Sequence, residues 1–445
     1  MRFKERINKD IDSLKESGNF RSLRHLRREG RYLTQLCQKE EAEFSSVRML
    51  NLSSNDYLGL ANDSKLRHEF MNLPETEASL LTSSSSRLLT GNFQEYDAFE
   101  KQLSEDYGKS ALIFNCGYHA NSGILPALAD DKTLILADKF VHASLIDGIR
   151  LCSARCIRFK HNNLDQLEQL IEKYRTEYET IFIVVESVYS MDGDVADLKR
   201  LVKIKEMLGK SSGQSCSTAN TDMKTHTECG CDILLYVDEA HGVGVRGDRG
   251  LGLAEETGCL QDIDILIGTL GKALASNGAF AICSQEVRDY LINKMRPFIF
   301  TTALPPFNIA WSLFVWNKMK GMVQERKHLI ELSSKLRSAI QAFTGGTSYN
   351  TTNSIGTSDA TNREREKSAS AKELVTQIVP LLVGESADAV KLAEHLQRKG
   401  FFVLPIRPPT VPVGTARLRF SLTADMTTAE IDSLINAIEE IYRQR

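Results

Sequence analysis

Apolar residues follow two alternating patterns along the chain. Between about residues 108 and 285, short uninterrupted apolar runs alternate with stretches of helical periodicity. The runs are ALIF (111–114), LILAD (134–138), IFIVVES (181–187), ILLYVDEA (233–240), ILIGT (265–269) and AFAIC (279–283). Such runs fit parallel strands that are buried on both faces of a sheet. The alternation predicts an α/β domain with a mostly parallel central sheet and helices on both faces.

The stretches between these runs have the spacing of surface helices. In NLDQLEQLIEKY (163–174), leucine, isoleucine and tyrosine recur on one helical face, and Asn163 is a candidate N-cap. The chain begins with a polar amphipathic pattern that predicts a helix and lacks the apolar core of a secretion signal.

A second, smaller α+β domain is predicted at the C-terminal end. Its elements are IVPLLVG (378–384), a helix over 387–400, a strand FFVLPI (401–406), a strand RLRFSL (417–422) and a final helix. Arg417 and Arg419 alternate along the last strand and could face either substrate or solvent.

The domain division expected from these patterns has three parts. They are an N-terminal helical segment (1–55), a large α/β domain (56–305) and the small domain (306–445). Two stretches rich in Ser, Thr, Asn and Gly, at about 210–230 and 345–372, are predicted to be surface insertions of the large and the small domain.

Composition excludes several classes of protein. The chain has 445 residues and a net charge of −3, which gives no global attraction to nucleic acid or to an anionic membrane. No apolar run is long enough for a membrane span, and nine cysteines in scattered contexts suit a reduced cytoplasm. HTECGC (226–231) lacks a second pair of ligands, so we expect no metal site there.

Polar residues follow the predicted strands directly. In open parallel sheets, ligands bind beyond the carboxyl ends of the strands. One polar residue at such an end could simply face water, but here the residues recur from strand to strand. They are Gly117, Tyr118, His142, Ser190, Asp238, His241, Thr269 and Lys272.

Asp238 and Lys272 form a pair with a specific chemistry. A neutral lysine can form a Schiff base with an aldehyde, and a carboxylate can hold a pyridine nitrogen protonated. The two residues are separated by about one helix and one strand, so both would lie at the same edge of neighbouring strands. This predicts a pyridoxal 5′-phosphate (PLP) site, with His241 at the phenolic oxygen of the ring. The helix start at Gly117 and Tyr118, helped by Thr269, would hold the phosphate.

Several motifs together resemble one known family. They are SSNDYLGL (53–60), VHASL (141–145), SMDGD (190–194), DEAHGVG (238–244), GTLGK (268–272) and TTALPP (301–306). These motifs resemble those of the α-oxoamine synthases, which are fold-type I PLP-dependent transferases. The resemblance spans nearly the whole chain except the two polar stretches.

The resemblance implies roles for individual residues. Lys272 would carry the cofactor and remove the α-proton of the amino acid. His142 would stack on the cofactor ring, and Ser190 would lie at its polar edge. Thr302 would reach the phosphate of the neighbouring subunit. The expected substrate ligands are Asn55 and Arg407 for the amino-acid carboxylate, and Arg21 and Thr410 for the acyl group.

The segment IRPPTVPVGTARLRFSLT (406–423) indicates a branch of that family. It resembles the branch that condenses L-alanine with a pimeloyl thioester of coenzyme A or acyl carrier protein. The resemblance implies a homodimer with its active site at the subunit interface. Three alternatives stay open: a sister enzyme that uses glycine or serine with another acyl-CoA, an aminotransferase, and a cofactor-free subunit on the same fold.

Overall fold

The chain forms two compact units in a computed structural model that describes residues 2–36, 47–209, 231–344 and 374–443. One unit comprises the described parts of Met1–Asp63, Ser190–Asp194 and Gln324–Arg445. The other comprises the described parts of Ser64–Tyr189 and Val195–Val323. We call them the terminal unit and the central unit. The domain boundaries predicted from the sequence stay predictions.

The helices and strands of the described residues are numbered separately in chain order. The helices are α1 (Phe3–Glu16), α2 (Ser64–Met71), α3 (Pro74–Ala78), α4 (Gln94–Tyr107), α5 (Gly117–Leu128), α6 (Ala143–Leu151), α7 (Leu164–Tyr174), α8 (Leu198–Gly209), α9 (Leu253–Thr257), α10 (Gln285–Lys294), α11 (Arg296–Ile299), α12 (Pro306–Lys320), α13 (Val323–Phe343), α14 (Ser386–Arg398) and α15 (Thr428–Arg443). The strands are β1 (Leu26–Glu29), β2 (Tyr32–Gln35), β3 (Arg48–Asn51), β4 (Ser110–Phe114), β5 (Thr133–Asp138), β6 (Arg155–Phe159), β7 (Thr180–Glu186), β8 (Asp232–Asp238), β9 (Ile265–Thr269), β10 (Ala279–Cys283), β11 (Ile378–Gly384), β12 (Phe401–Phe402), β13 (Pro405–Ile406) and β14 (Ala416–Ser421).

The central unit is built on a seven-stranded sheet with the order β4-β10-β9-β8-β7-β5-β6. All pairings are parallel except those of β10, which runs antiparallel to both β4 and β9. Every residue of β5 is buried, as are nearly all residues of β7. This burial on both faces explains the continuous apolar runs, and it confirms the prediction of a mostly parallel central sheet.

One strand of this sheet, β6, is absent from the sequence prediction. It reads RCIRF, and most of its residues are partly or fully exposed. It lies at the edge of the sheet and pairs only with β5. An edge strand with two arginines has no continuous apolar run, so the pattern that identifies buried strands does not detect it.

Helix α7 shows how local sequence sets an element of the central unit. The helix begins after Asn163, whose side chain accepts a hydrogen bond from the Gln166 amide at 2.9 Å. Its buried residues are Leu164, Leu167, Ile171 and Tyr174. The predicted cap and apolar face are therefore confirmed, because capping and amphipathic spacing are both local properties of the chain.

The terminal unit contains two small sheets, with the orders β1-β2-β3-β12 and β11-β14-β13. The predicted single strand FFVLPI (401–406) is wrong, because β12 pairs with β3 whereas β13 pairs with β14. The chain crosses from one sheet to the other at Val403 and Leu404, and the Leu404 amide donates to Ser53 Oγ at 3.0 Å. Pro405 has no amide hydrogen to continue the first ladder.

The N-terminal segment is only partly helical. The predicted amphipathic helix is present as α1, but the antiparallel strands β1 and β2 follow it, and β2 pairs with β3. Their sequences, LRRE and YLTQ, are short and largely polar, so they carry little strand signal. The segment 1–55, predicted as an N-terminal helical segment, therefore contains the strands β1, β2 and β3 in addition to α1.

Three sequence expectations concern residues that are wholly or mostly outside the described ranges. The polar stretches at 210–230 and 345–372 lie outside them, as does HTECGC except for Cys231. Among the described residues, no group of three or more His, Cys, Asp or Glu side chains is arranged to hold a metal ion. A search of the same residues finds no helix with the length and apolar character of a membrane span.

A buried ion cluster gives a test of the packing of the central unit. Glu100 on α4 is 5 % exposed, and it accepts hydrogen bonds from the Ile113 amide at 2.9 Å, from Arg288 Nη2 at 2.9 Å and from Arg87 Nη1. We expect Glu100→Ala to lower the free energy of unfolding by about 3–5 kcal/mol, because it leaves Arg87 without its carboxylate partner in a buried position.

The measurement is the midpoint of urea unfolding, with Glu105→Ala on the same helix as the matched control. Glu105 is exposed and lies 3.9 Å from Lys101, so its removal should cost less than about 1 kcal/mol. Equal midpoints for the two variants would contradict the role assigned to the buried cluster.

Candidate active site

A buried carboxylate lies at the carboxyl end of β8. Asp238 is 5 % exposed, and its two oxygens accept separate hydrogen bonds. Oδ1 accepts from the Ala240 amide at 2.8 Å, and Oδ2 accepts from Asn121 Nδ2 at 2.7 Å. Hydrogen bonds donated to a carboxylate stabilise its charged form against the cost of burial. The geometry therefore provides a fixed negative charge at the edge of the sheet.

Asn121 on α5 was not among the residues singled out from the sequence. Its Oδ1 accepts a hydrogen bond from Tyr236 Oη at 2.8 Å, and its Nδ2 also donates to Ser144 Oγ at 3.0 Å. The only signal in the sequence was an amide side chain in the first turns of α5, next to other polar residues such as His119 and Ser122. That signal is weak without the fold, because its partners come from distant parts of the chain.

His142 caps the N-terminus of α6 from beside this carboxylate. Its Nδ1 lies 2.8 Å from Ser144 Oγ and accepts from the Ser144 amide at 3.2 Å. Burial lowers the pKa of His142; the nearby Asp238 raises it and Lys272 lowers it. The imidazole is therefore neutral at pH 7. Both charged groups act on His142, so the predicted trio of His142, Asp238 and Lys272 is gathered in one place.

Lys272 follows β9 and meets the second predicted histidine. Its Nζ lies 2.8 Å from His241 Nε2. His241 is 5 % exposed and follows β8 by three residues. Thr269, at the end of β9, donates from its hydroxyl to the Ala240 carbonyl at 3.3 Å. The loops after two neighbouring parallel strands thus bring together an amine, an imidazole and a hydroxyl, as their position in the sequence predicts.

The start of α5 approaches Thr269 closely. A Cβ atom at Gly117 would come within 2.7 Å of Thr269 Cγ2, so the glycine allows the helix start to lie against the end of β9. Tyr118 is 47 % exposed, and its hydroxyl donates to Asp147 on α6. The first amides of such a helix are suited to an anion.

Thr302 lies in the same unit, after α11. Its carbonyl accepts a hydrogen bond from Asn115 Nδ2 at 2.7 Å, and the Thr301 hydroxyl lies 3.3 Å from the same nitrogen. Asn115 directly follows β4. These contacts tie the TTALPP segment to a strand end within one subunit.

Glu186 is a second buried carboxyl group that the sequence analysis missed. It ends β7 and is the cross-strand partner of Asp238 in the parallel ladder. Burial raises its pKa well above the usual value; Asp238 raises it further and Lys272 opposes the shift. Asp238 has two hydrogen-bond donors, whereas Glu186 receives a backbone hydrogen bond from His142 and has its Oε1 buried with no partner. Burial beside Asp238 therefore favours the neutral form of the Glu186 carboxyl.

In the terminal unit, Arg419 organises the predicted substrate ligand Asn55. Asn55 Oδ1 accepts from Arg419 Nη1 at 3.1 Å and from Tyr57 Oη at 3.1 Å. Arg419 Nε also donates to the carbonyl of Ser190, another predicted site residue. Arg419 is 8 % exposed, so it lies on a buried face of β14 rather than a solvated one. Arg417 is also buried and pairs with Asp192.

The remaining predicted residues line a cavity of about 470 Å³ in the terminal unit. Arg21 Nη2 donates to Thr410 Oγ1 at 3.2 Å, so two residues 389 positions apart meet at this cavity. Arg407 and Arg24 also line it. Burial lowers the pKa of Arg407, and the charges of Arg21 and Arg24 lower it further. Guanidinium groups that lie close together repel one another, and a bound anion relieves this repulsion. The cavity is therefore suited to binding an anion.

The groups in the central unit fit the cofactor predicted from the sequence. PLP requires an amine for its aldehyde, a carboxylate for its ring nitrogen and donors for its phosphate. Lys272 provides the amine, Asp238 the ionised carboxylate, and the start of α5 at Gly117 the amide donors. The buried position of Asp238 and its two hydrogen-bond donors decide the fit, because a pyridinium needs a carboxylate beside it.

Comparisons with known proteins agree with this assignment. The family model for class I and II aminotransferases matches residues 47–212 and 230–438. A relative from Haemophilus ducreyi, an 8-amino-7-oxononanoate synthase, is 46% identical over 431 residues, which are 96% of this chain and 97% of that protein.

Two solved structures are similar over most of the chain. A serine palmitoyltransferase from S. paucimobilis, with a bound PLP–myriocin aldimine, matches 98% of this chain and 97% of its own with a TM-score of 0.78 and 24% identity. The 8-amino-7-oxononanoate synthase of Francisella tularensis is 26% identical. The match covers 89% of this chain and 97% of that chain, with a TM-score of 0.66. The chain belongs to the class I and II aminotransferase family and, within it, to the PLP-dependent α-oxoamine synthases.

Proposed function

We propose that the protein is an 8-amino-7-oxononanoate synthase. In this reaction L-alanine condenses with a pimeloyl thioester of coenzyme A or acyl carrier protein. A carbon–carbon bond forms between Cα of alanine and the acyl carbon, the thiol leaves, and the alanine carboxylate is lost as CO2. The relative from H. ducreyi supports this choice of substrates by its name and by its similarity over nearly the full length of both chains.

The observation that carries the proposal is the contact between Arg21 and Thr410 in a cavity lined by guanidinium groups. A pimeloyl group ends in a carboxylate, which can pair with an arginine. A palmitoyl chain ends in a methyl group, which would leave the same arginines without an anion. The charge of the cavity therefore favours a dicarboxylic acyl group over a simple fatty acyl group.

The residues of the central unit would perform the proton transfers. When bound, PLP withdraws electron density from Cα of the amino acid, both for loss of the α-proton and for loss of CO2. Lys272 would first hold the cofactor and then, as a free amine, take the α-proton. Asp238 would keep the ring nitrogen protonated, and His241 would donate to the phenolic oxygen. His142, neutral because of its burial, would stack on the ring.

The residues of the terminal unit would orient the substrates. Arg407, with Asn55, would hold the alanine carboxylate so that the breaking bond at Cα stands perpendicular to the cofactor ring. Arg419 would keep Asn55 in position through its hydrogen bond. Ser190 would lie at the polar edge of the ring. Arg21 and Thr410 would receive the far end of the acyl chain.

A homodimer with an active site at the subunit interface is part of the proposal. Large apolar side chains of the central unit are exposed in and near the loop that follows α3, namely Leu80, Leu81, Leu88, Leu89 and Phe300. Several exposed apolar residues in one region are typical of an interaction surface. In the dimer, Thr302 would reach the phosphate bound by the partner.

The dimer is tested by the double variant Leu81→Asp, Leu89→Asp. These side chains are 78% and 79% exposed, so aspartate is tolerated in an isolated subunit but is expected to separate a dimer. Light scattering should give the mass of a monomer for the double variant and of a dimer for Met207→Asp, an exposed residue on α8. A double variant that dimerises as strongly as the wild type would show that this surface is not the dimer interface.

The proposed reaction is tested by combining L-alanine, glycine and L-serine with pimeloyl-CoA, acetyl-CoA and palmitoyl-CoA on the PLP-loaded protein. We expect turnover only with L-alanine and pimeloyl-CoA, with 8-amino-7-oxononanoate identified by mass spectrometry and one CO2 released per product. Turnover with glycine or serine and another thioester would assign the chain to a sister activity. Pyruvate formation without any thioester would indicate an aminotransferase.

The proposed role of Arg21 predicts that Arg21→Ala raises KM only for a thioester whose acyl group ends in a carboxylate. Loss of an ion-paired hydrogen bond costs about 1.5–3 kcal/mol, so Arg21→Ala should raise KM for pimeloyl-CoA about 10- to 100-fold. With heptanoyl-CoA, which lacks the terminal carboxylate, the same substitution should leave KM nearly unchanged. The matched control is Arg27→Ala, because Arg27 is 62% exposed and pairs with Glu29 at 3.1 Å. An equal rise of KM for both thioesters in Arg21→Ala would show that Arg21 does not bind the terminal carboxylate.

A further inference from the structure

Asn121 joins the two groups of the central unit that would act on the cofactor ring. Its side-chain nitrogen contacts both Asp238 Oδ2 at 2.7 Å and Ser144 Oγ at 3.0 Å. Ser144 Oγ in turn lies 2.8 Å from His142 Nδ1. Asn121 is 2 % exposed, so these contacts are shielded from water.

The direction of every hydrogen bond in this network follows from one charge. An ionised carboxylate can only accept, so the atom of Asn121 that faces Asp238 is the amide nitrogen. The amide oxygen then faces Tyr236, whose hydroxyl donates to it at 2.8 Å. The second hydrogen of the amide nitrogen points to Ser144 Oγ, which therefore accepts from Asn121.

The hydrogen bonds run in the same direction from Ser144 to His142. Since Ser144 Oγ accepts from Asn121, its own hydrogen is available for His142 Nδ1. The Ser144 amide also points to Nδ1 at 3.2 Å, so Nδ1 is an acceptor in both contacts. A neutral imidazole that accepts at Nδ1 carries its hydrogen on Nε2. Nδ1 thus accepts from the Ser144 backbone amide and from the Ser144 hydroxyl, and the orientation of the Asn121 amide controls the second of these two donors.

We propose that Asn121 is a positioning residue that links Asp238 to His142: it donates to the carboxylate and directs the Ser144 hydroxyl to His142 Nδ1, where the hydroxyl adds to the backbone amide in supporting the Nε2–H tautomer. The inference rests on the proposed roles of Asp238 and His142, and it does not depend on which acyl thioester is used. Asn121 itself touches neither cofactor nor substrate in this account. It acts by donating to Asp238 with one hydrogen and to Ser144 with the other.

The network has two branches: Asn121 contacts Asp238 in one, and Ser144 and then His142 in the other. Single substitutions remove the hydrogen bonds of these branches separately. Asn121→Ala removes the donors to both Asp238 and Ser144. Ser144→Ala disconnects only His142, and Tyr236→Phe removes the donor that orients the amide but keeps Asn121 in place. Ser122→Ala is the matched control, because Ser122 follows Asn121 on α5 and its hydroxyl donates to the Tyr118 carbonyl at 2.6 Å, outside the network.

Two measurements report on the two branches. The dissociation constant of PLP, measured by fluorescence titration of the apoprotein, reports on Asp238. The tautomer of His142, read from ¹⁵N shifts of histidine-labelled apoprotein and assigned with His142→Gln, reports on the other branch. Asn121→Ala should weaken PLP binding about tenfold or more, because a donor to a charged group is lost. It should also raise the population of the Nδ1–H form above that of the wild type, because the Ser144 hydroxyl is then free to accept from Nδ1 and only the backbone amide still opposes that form.

The variants should separate as follows. Ser144→Ala removes the hydroxyl donor but keeps the backbone amide, so it should raise the Nδ1–H population with little change in PLP binding. Tyr236→Phe should change both measurements in the same direction as Asn121→Ala, but by less. Ser122→Ala should change neither measurement. Asn121→Ala with wild-type PLP affinity and tautomer would overturn the inference. If Asn121→Ala does not fold, Tyr236→Phe decides, and wild-type values for that variant would overturn it equally. Failure of the pimeloyl reaction alone would leave both measurements as expected here.

Discussion

The structure depends on the burial of one negative charge, the Asp238 carboxylate, at the carboxyl end of a central parallel strand. A buried carboxylate is costly unless hydrogen bonds compensate for the lost water. Here the compensation comes from the Ala240 amide and from Asn121, which lies on the helix after β4. The charge therefore couples the interior of the sheet to the helix that packs on it. In the proposed function, this carboxylate would stabilise the protonated pyridine nitrogen of a PLP ring.

The other ionisable groups of the two units can be understood in relation to this charge. In the central unit, burial raises the pKa of the neighbouring Glu186 carboxyl and lowers the pKa of the His142 imidazole, which favours the neutral form of both groups beside Asp238. In the terminal unit, three arginines, Arg21, Arg24 and Arg407, line one cavity together with a single acidic residue, Glu394. Cofactor chemistry needs proton positions controlled by buried groups, whereas substrate recognition needs cations that pair with carboxylates. The two units differ in this respect.

Much of the fold and the central site could be predicted because their signals are local. The buried strands are continuous apolar runs, and Asp238 and Lys272 follow such runs directly. The edge strand β6 and the short strands β12 and β13 could not be predicted, because their pairing depends on partners remote in sequence. Asn121 and Glu186 were missed for the same reason. Their importance lies in which residues the fold places beside them, and Arg419 looked equally suited to solvent until β14 was seen to be buried.

We propose that Asp238 would hold the ring nitrogen of the cofactor in its protonated form. The most direct test is to bind PLP labelled with ¹⁵N at the ring nitrogen and to record its chemical shift across the neutral pH range. The account predicts the shift of a pyridinium, independent of pH, in the wild-type protein, and the shift of a neutral pyridine in Asp238→Asn. A neutral pyridine in the wild-type protein would contradict the account, because the buried carboxylate would then have no function at the cofactor.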